Sequence, residues 1–165
     1  MKAEALLAGP WSALHRTRER TEAATFGTFD GATSSYGVTF AMFAQHQHPA
    51  AFVAPITGLA IASAAGMGGG EAASSEGSDR GGRAVVMAIA SIFGVVVVAL
   101  PFFYLHGLAA LLTSLALALA LGIAIAQRRG PELGRAKAYL LTFGVLAVAI
   151  GVTLAVSLLL PGSGG

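Results

Sequence analysis

Cysteine and charge are what this sequence has least of. None of its 165 residues is cysteine, and only 11% are Asp, Glu, Lys or Arg. Without cysteine the chain has no disulfide, no thiolate zinc site, no iron–sulfur cluster and no thiol nucleophile. A soluble domain is about 25% charged, so these charges are too few to cover the surface of an ordinary soluble enzyme.

Hydrophobic residues take the place of the missing charge. They make up 55% of the chain, and the mean hydropathy is +0.74, which is typical of a membrane protein. The sequence has no Ser/His/Asp or Cys/His set for hydrolysis. Its net charge of +2 comes from basic residues that flank apolar segments. We therefore predict neither an enzyme nor a nucleic-acid-binding protein.

Long apolar segments predict an all-α integral membrane protein with five transmembrane helices. Residues 84–127 carry no Asp, Glu, Lys or Arg, and a helix of that length measures roughly 66 Å, about twice the ~30 Å hydrocarbon core. This segment therefore forms two spans joined near Gly107. The transmembrane domain, residues 23–160, has predicted spans at about 23–44, 50–74, 84–104, 107–127 and 138–160. Residues 1–22 are predicted to be an N-terminal interfacial amphipathic segment, and residues 161–165 a disordered tail.

The basic residues predict the orientation of these spans. With the N-terminus cytoplasmic and the C-terminus outside, every Lys and Arg falls in a cytoplasmic segment, as the positive-inside rule expects. These residues are Lys2, Arg16, Arg18, Arg20, Arg80, Arg83, Arg128, Arg129, Arg135 and Lys137. We expect a multi-pass protein in contact with membrane lipid, in the plasma membrane if the source is prokaryotic.

Two acidic residues, Asp30 and Glu71, are candidates for membrane depth. A carboxylate at the bilayer centre costs roughly 2.5 to 3.5 kcal/mol, so its presence favours a functional role. Counting along two antiparallel spans places Asp30 and Met67 at similar depths, and Glu71 lies one turn from Met67 on the same helix face. The three residues are predicted to form a column from the cytoplasm into the bilayer.

The chemistry of this column favours a divalent transition-metal ion. Carboxylates with a thioether suit Fe²⁺, Mn²⁺, Co²⁺ or Zn²⁺ better than Ca²⁺ or Mg²⁺, and carboxylates also carry protons. The metal would be a transported substrate, and no permanently bound cofactor is predicted. The alternative is structural: Met67 fills a packing gap, and Glu71 is a helix-end carboxylate in the headgroup zone.

Four glycines have a spacing that lets membrane helices approach closely. Gly27 and Gly31 form one GxxxG pair, and Gly66 and Gly70 form another. Such pairs are typical of helix packing, and beside an ion site they also expose backbone carbonyls. Both interpretations stay open.

Other polar residues extend the candidate path. Ser34 and Tyr36 in the first span either hydrate a path or bond to the backbone. His46 and His48, in the first external loop, are either release-side metal ligands or ordinary loop histidines.

Motifs in the first two spans carry a family resemblance. The segment FGTFDGATSSYGV, residues 26–38, resembles the Gly-x-x-Asp-Gly opening of the first span in the vacuolar iron transporter family. The segment GLAIASAAGMGGGEAASSEGS, residues 58–78, is similar to that family's second span, whose usual core is Ser-Met-x-x-Gly-Glu-Tyr. Here Gly66 precedes the methionine and Ala72 follows the glutamate. The short connection before the third span resembles a short form without the cytoplasmic metal-binding domain.

The resemblance implies a proton-coupled exporter of Fe²⁺, and in some members Mn²⁺, from the cytoplasm, with a role in iron homeostasis. It implies a homodimer with the ion path at the twofold interface, where two copies of each ligand meet. Asp30 corresponds to the family's first-span aspartate, Met67 to its metal-contacting methionine, and Glu71 to its motif glutamate. Two alternatives stay open: the same fold transports another ion, or the protein is a scaffold in which Asp30 makes an interhelical hydrogen bond.

Overall fold

A computed structural model describes residues 10–76 and 79–159, and every regular element in those ranges is helical. The helices are α1 (Pro10–Ala44), α2 (Val53–Ser74), α3 (Arg80–Ala99), α4 (Pro101–Tyr104), α5 (Gly107–Leu133) and α6 (Arg135–Leu159), with a 3₁₀ turn at Pro49–Phe52 before α2. The predicted tail, residues 161–165, and residues 1–9 of the predicted interfacial segment lie outside the described residues.

Four stretches of the described chain are long and apolar enough to cross a membrane. They are Pro49–Ser74, Arg80–Tyr104, Gly107–Leu133 and Arg135–Thr153, and they coincide with the second to fifth predicted spans. The chain is thus all-helical in its described parts and has the features of a multi-pass membrane protein. A membrane crossing by the first predicted span, residues 23–44, and the orientation of the termini stay predictions.

The helix α1 is not among those four, because it is the least apolar of the long helices. It packs more extensively against α3 than against any other helix, and it also contacts α2, α5 and α6. A helix surrounded by other helices needs less apolar surface than one that faces lipid. The position of α1 within the bundle therefore fits its composition.

Residues 10–22 differ from the prediction of a separate interfacial segment. They form the first turns of α1 without a break at residue 22. Arg18 bonds Glu132 of α5, with 2.6 Å between Nη2 and Oε1, and Arg20 bonds Asp79 just before α3. Arg and Glu are good helix formers, so the helix continues where the apolar segment ends. For the same reason α5 runs past the predicted span end at residue 127 to Leu133.

Glycines set the closest approach in the bundle. A Cβ added to Gly31 would collide with the carbonyl oxygen of Ser91, and one added to Gly27 would collide with that of Met87. Both contacts are with α3, so this GxxxG pair brings the backbones of α1 and α3 together.

The second glycine pair behaves differently. A Cβ added to Gly66 or Gly70 would meet nothing within 4 Å, so these two glycines pack no other helix within one chain. Gly68, between them, is buried, and its Cβ would lie 2.9 Å from Cβ of Ala88. The α2 contact with α3 therefore runs through Gly68 instead of the predicted pair.

Candidate ion path

Asp30 lies on α1 where α1, α2 and α3 meet, and its environment consists of hydroxyl groups. Ser63 of α2 donates a hydrogen bond from Oγ to Oδ2 of Asp30, at 3.1 Å. The hydroxyl of Ser63 also bonds that of Ser91, a fully buried residue of α3. In the contact between the two serines, either hydroxyl can be the donor. We call these three residues the deep cluster.

Glu71 lies near the end of α2, and its environment is ionic. Oε1 of Glu71 is 2.6 Å from Nη2 of Arg83 on α3, and only 11% of the Glu71 side chain is exposed. The same oxygen accepts a hydrogen bond from Ser75. Glu19 of α1 places Oε2 at 3.7 Å from Nη1 of Arg83. We call Glu19, Glu71, Ser75 and Arg83 the mouth.

The deep cluster and the mouth are two levels of one antiparallel pairing. Ser63 and Glu71 are eight residues apart on α2, and Ser91 and Arg83 are eight residues apart on α3. Each pair spans roughly 12 Å along its helix. Helices α2 and α3 run in opposite directions, so Glu71 faces Arg83 at one level and Ser63 faces Ser91 at the other.

Met67 lies between these two levels, one helical turn from Ser63 and one from Glu71. Glu71, Met67 and Ser63 therefore follow one another along one face of α2. The predicted depth of Asp30 differs, because Asp30 bonds Ser63 instead of lying level with Met67. That shift amounts to about 6 Å along α2.

A cavity of about 800 Å³ opens beside the mouth. Met67, Glu71 and Arg83 line it, together with Phe26 and Phe29 of α1. Asp30 does not line this cavity, although Phe26 lies one turn before it on the same helix. The cavity thus reaches the mouth and Met67, and the deep cluster begins beyond it.

The remaining path candidates lie away from this cavity. Tyr36 is 3% exposed and packs with Ala32, Val98 and Ala118 in an apolar core cluster. Ser34 is partly buried two residues earlier on α1. These positions place Tyr36 in the core instead of on a water-filled path.

The two loop histidines lie at the opposite end of α1 and α2 from the mouth, and both are exposed. Nδ1 of His48 accepts a hydrogen bond from the backbone N–H of Ala50, at 3.3 Å, and so caps the 3₁₀ turn. His46 has a positive φ of 55° at the end of α1. His48 therefore has a local structural role.

Metal ligands are sparse within one chain. Among the residues described, no three His, Asp or Glu side chains come together as a metal-binding group. Asp30 and Glu71 belong to different levels, and each already has a partner. A divalent ion would find Asp30 at one level and Glu19 and Glu71 at the other, with the Met67 thioether between the levels.

Sequence reasoning missed three participants in this arrangement. In the sequence, Arg83 is one of the charges that indicate orientation, and its pairing with Glu71 depends on how α2 and α3 are aligned. Ser63 could have been found, because it lies four residues before Met67 on the face already marked by Glu71. Ser91 carries no signal, since it is a single serine in the most apolar helix.

Comparison with known proteins identifies no relative of this chain. No family model, no curated protein and no solved structure matches the chain.

Proposed function

We propose that this protein is a proton-coupled exporter of divalent transition-metal ions, Fe²⁺ and also Mn²⁺, from the cytoplasm across a membrane. The observation that carries the proposal is the environment of Asp30. In the part of the chain that the structure describes, this carboxylate has a hydroxyl partner and no ion pair. A membrane carboxylate without a counter-cation is free to bind a proton or a metal ion in its place.

The proposed path begins in the cavity beside the mouth, passes the Met67 thioether and ends at Asp30. A thioether next to carboxylates favours a borderline transition-metal ion over Ca²⁺ or Mg²⁺. The hydroxyl of Ser63 holds the Asp30 carboxyl group in place, and Ser91 in turn holds Ser63. Arrival of a metal ion would release a proton from Asp30, and reprotonation would release the metal ion, which couples the two fluxes.

The proposal includes a homodimer, because one chain supplies few ligands. The exposed glycines Gly66 and Gly70 leave the Met67 region of α2 open to a second copy, and small residues allow close helix contact in membranes. A twofold axis there would bring two Met67 and two Glu71 side chains together. The motif resemblance to the vacuolar iron transporter family supports the same arrangement.

The test is flux of Mn²⁺ and Fe²⁺ into sealed liposomes that contain the purified protein, with an imposed pH gradient. We expect metal flux that requires the gradient. Asp30→Asn should reduce it to the level of empty liposomes, because an amide neither carries a proton nor attracts a cation. Glu76→Gln is the matched control, since it removes an exposed carboxylate after α2. Absence of gradient-dependent flux from a folded wild-type protein would contradict the proposal.

A second function is a non-transporting membrane scaffold. It is favoured by the fact that both acids have partners: Asp30 has Ser63 and Glu71 has Arg83. In a scaffold these contacts hold α1, α2 and α3 together, at roughly 0.6 to 2 kcal/mol for each interhelical hydrogen bond. Asp30→Asn would then retain the contact through its amide oxygen and change no flux.

A further inference from the structure

The mouth contains a positive charge from the protein itself, the guanidinium of Arg83. The role inferred for it rests on the proposed function. The guanidinium of Arg83 lies against Glu71, and both residues line the cavity, close to Met67. Glu71 is 11% exposed and Arg83 26% exposed, so the pair is largely shielded from water. A metal ion cannot bind Glu71 fully while Arg83 occupies it.

The contact between Arg83 and Glu71 is incomplete. Nη2 of Arg83 lies 2.6 Å from Oε1 of Glu71, and the strong form of such a pair uses two parallel hydrogen bonds. Nε of Arg83 is buried and has no hydrogen-bond partner. An unsatisfied buried donor costs roughly 1 to 3 kcal/mol, so this arrangement of Arg83 is not its best-bonded one.

A second carboxylate lies on the other side of Arg83. Glu19 of α1 is 3.7 Å from Nη1 of Arg83 and 44% exposed, so it interacts less with Arg83 than Glu71 does in this structure. A small movement of the long arginine side chain would exchange one carboxylate for the other. The guanidinium keeps a counter-ion in both positions, which removes the cost of leaving it unpaired.

We propose that Arg83 is a tethered cation that occupies Glu71 when no metal ion is present and moves to Glu19 when an ion enters. Arg83 thereby sets which ions reach Met67. A divalent ion attracts the carboxylate twice as strongly as a monovalent ion at the same distance. Monovalent ions therefore fail to displace the guanidinium, and divalent ions succeed.

The first measurement is equilibrium binding of Mn²⁺ to the purified full-length protein, followed by the electron paramagnetic resonance signal of free Mn²⁺. Arg83→Gln should bind Mn²⁺ several-fold more tightly than the wild type, because its competitor is gone. It should also lose discrimination against K⁺. Arg80→Gln is the matched control, because it removes an exposed positive charge three residues away on α3 and should leave binding unchanged.

The second measurement uses Glu19→Gln, which leaves the Glu71–Arg83 pair intact. With no second position for Arg83, this variant should bind Mn²⁺ several-fold more weakly than the wild type. In the Arg83→Gln background the same substitution should have no effect. An Arg83→Gln protein that does not fold leaves this Glu19→Gln comparison as the deciding one.

The outcomes separate this inference from the proposed function. A wild-type protein that neither binds nor transports Mn²⁺ contradicts the exporter itself. A wild-type protein that does both, with unchanged or weaker binding in Arg83→Gln, or with unchanged binding in Glu19→Gln, overturns the tethered cation and leaves the exporter standing.

Discussion

The mouth and the deep cluster are built from the same three helices, α1, α2 and α3, yet their carboxylates have opposite kinds of partner. At the mouth, α3 supplies Arg83, and the Glu71 carboxylate is neutralised by a cation. Eight residues further along α3, Ser91 supplies a hydroxyl, and the Asp30 carboxylate is held by Ser63 without a cation. An ion must displace Arg83 before it can bind Glu71 fully, whereas Asp30 has no cation to displace.

The largest effect should come from breaking the helix contact beneath the deep cluster. Gly31→Val places a side chain against the carbonyl oxygen of Ser91, so α1 and α3 must separate. We expect a loss of roughly 3 kcal/mol of stability, seen as a large drop in Tm of the purified protein. Gly144→Val, in open space on α6, is the control. Equal Tm values for the two variants would contradict the close contact at Gly31.

The next effect compares the two acids directly. Glu71→Gln removes the nearest counter-ion of the half-buried Arg83 and leaves it the more distant Glu19, and should cost about 1 to 3 kcal/mol. Asp30→Asn keeps an acceptor for Ser63 and should cost less than about 1 kcal/mol. Tm should therefore rank Asp30→Asn above Glu71→Gln, while metal flux should be lost in Asp30→Asn. The reverse ranking in Tm would mean that Asp30 is the structural acid.

A smaller effect tests the hydroxyls of the deep cluster. Ser63→Ala removes the donor to Asp30 and the partner of Ser91, and should cost about 1 kcal/mol. It should also slow metal flux without abolishing it. Thr33→Val is the control, because the Thr33 hydroxyl bonds only the Phe29 carbonyl within α1. A flux equal to that of the control would remove Ser63 from the proposed path.

The smallest effect concerns the ion pair between Arg20 and Asp79. This pair lies at the same end of the helices as the mouth, outside the predicted membrane-spanning segments. Hydrogen bonds from the Arg20 guanidinium lower the pKa of the Asp79 carboxyl below its usual value. The stability from this pair is therefore present above the usual aspartate pKa of about 4 and is lost as the pH falls through the lowered value. The Tm difference between wild type and Arg20→Gln should be largest near neutral pH and vanish in acid. A difference that grows in acid would contradict this sign.

Much of the fold could be predicted from the sequence, because apolar length and its interruptions determine where membrane helices end. The predicted ends at residues 44, 74 and 104 match those of α1, α2 and α4. The predicted starts of α1 and α3 and the predicted end of α5 agree less well with the structure. Charged residues end an apolar span but not a helix, since Arg and Glu favour helical backbone.

The candidate site was predictable along one helix and not between helices. Met67 and Glu71 share a face by their spacing alone. The partner of Asp30 depends on how far α1 is shifted along α2. Counting residues does not give that shift, because the sequence does not mark where α1 begins. The close contacts of Gly27 and Gly31 with α3 determine how α1 is aligned with α3.

The sequence by itself determined that the protein is helical and apolar and that each of its first two apolar segments contains an acidic residue. Composition and periodicity give this information because each can be read within a single segment. Only the tertiary structure decided that Arg83 neutralises Glu71 and that Ser63 and Ser91 hold Asp30. The physical reason is that hydrogen bonds and ion pairs act over about 3 Å, a distance reached only when distant segments pack side by side.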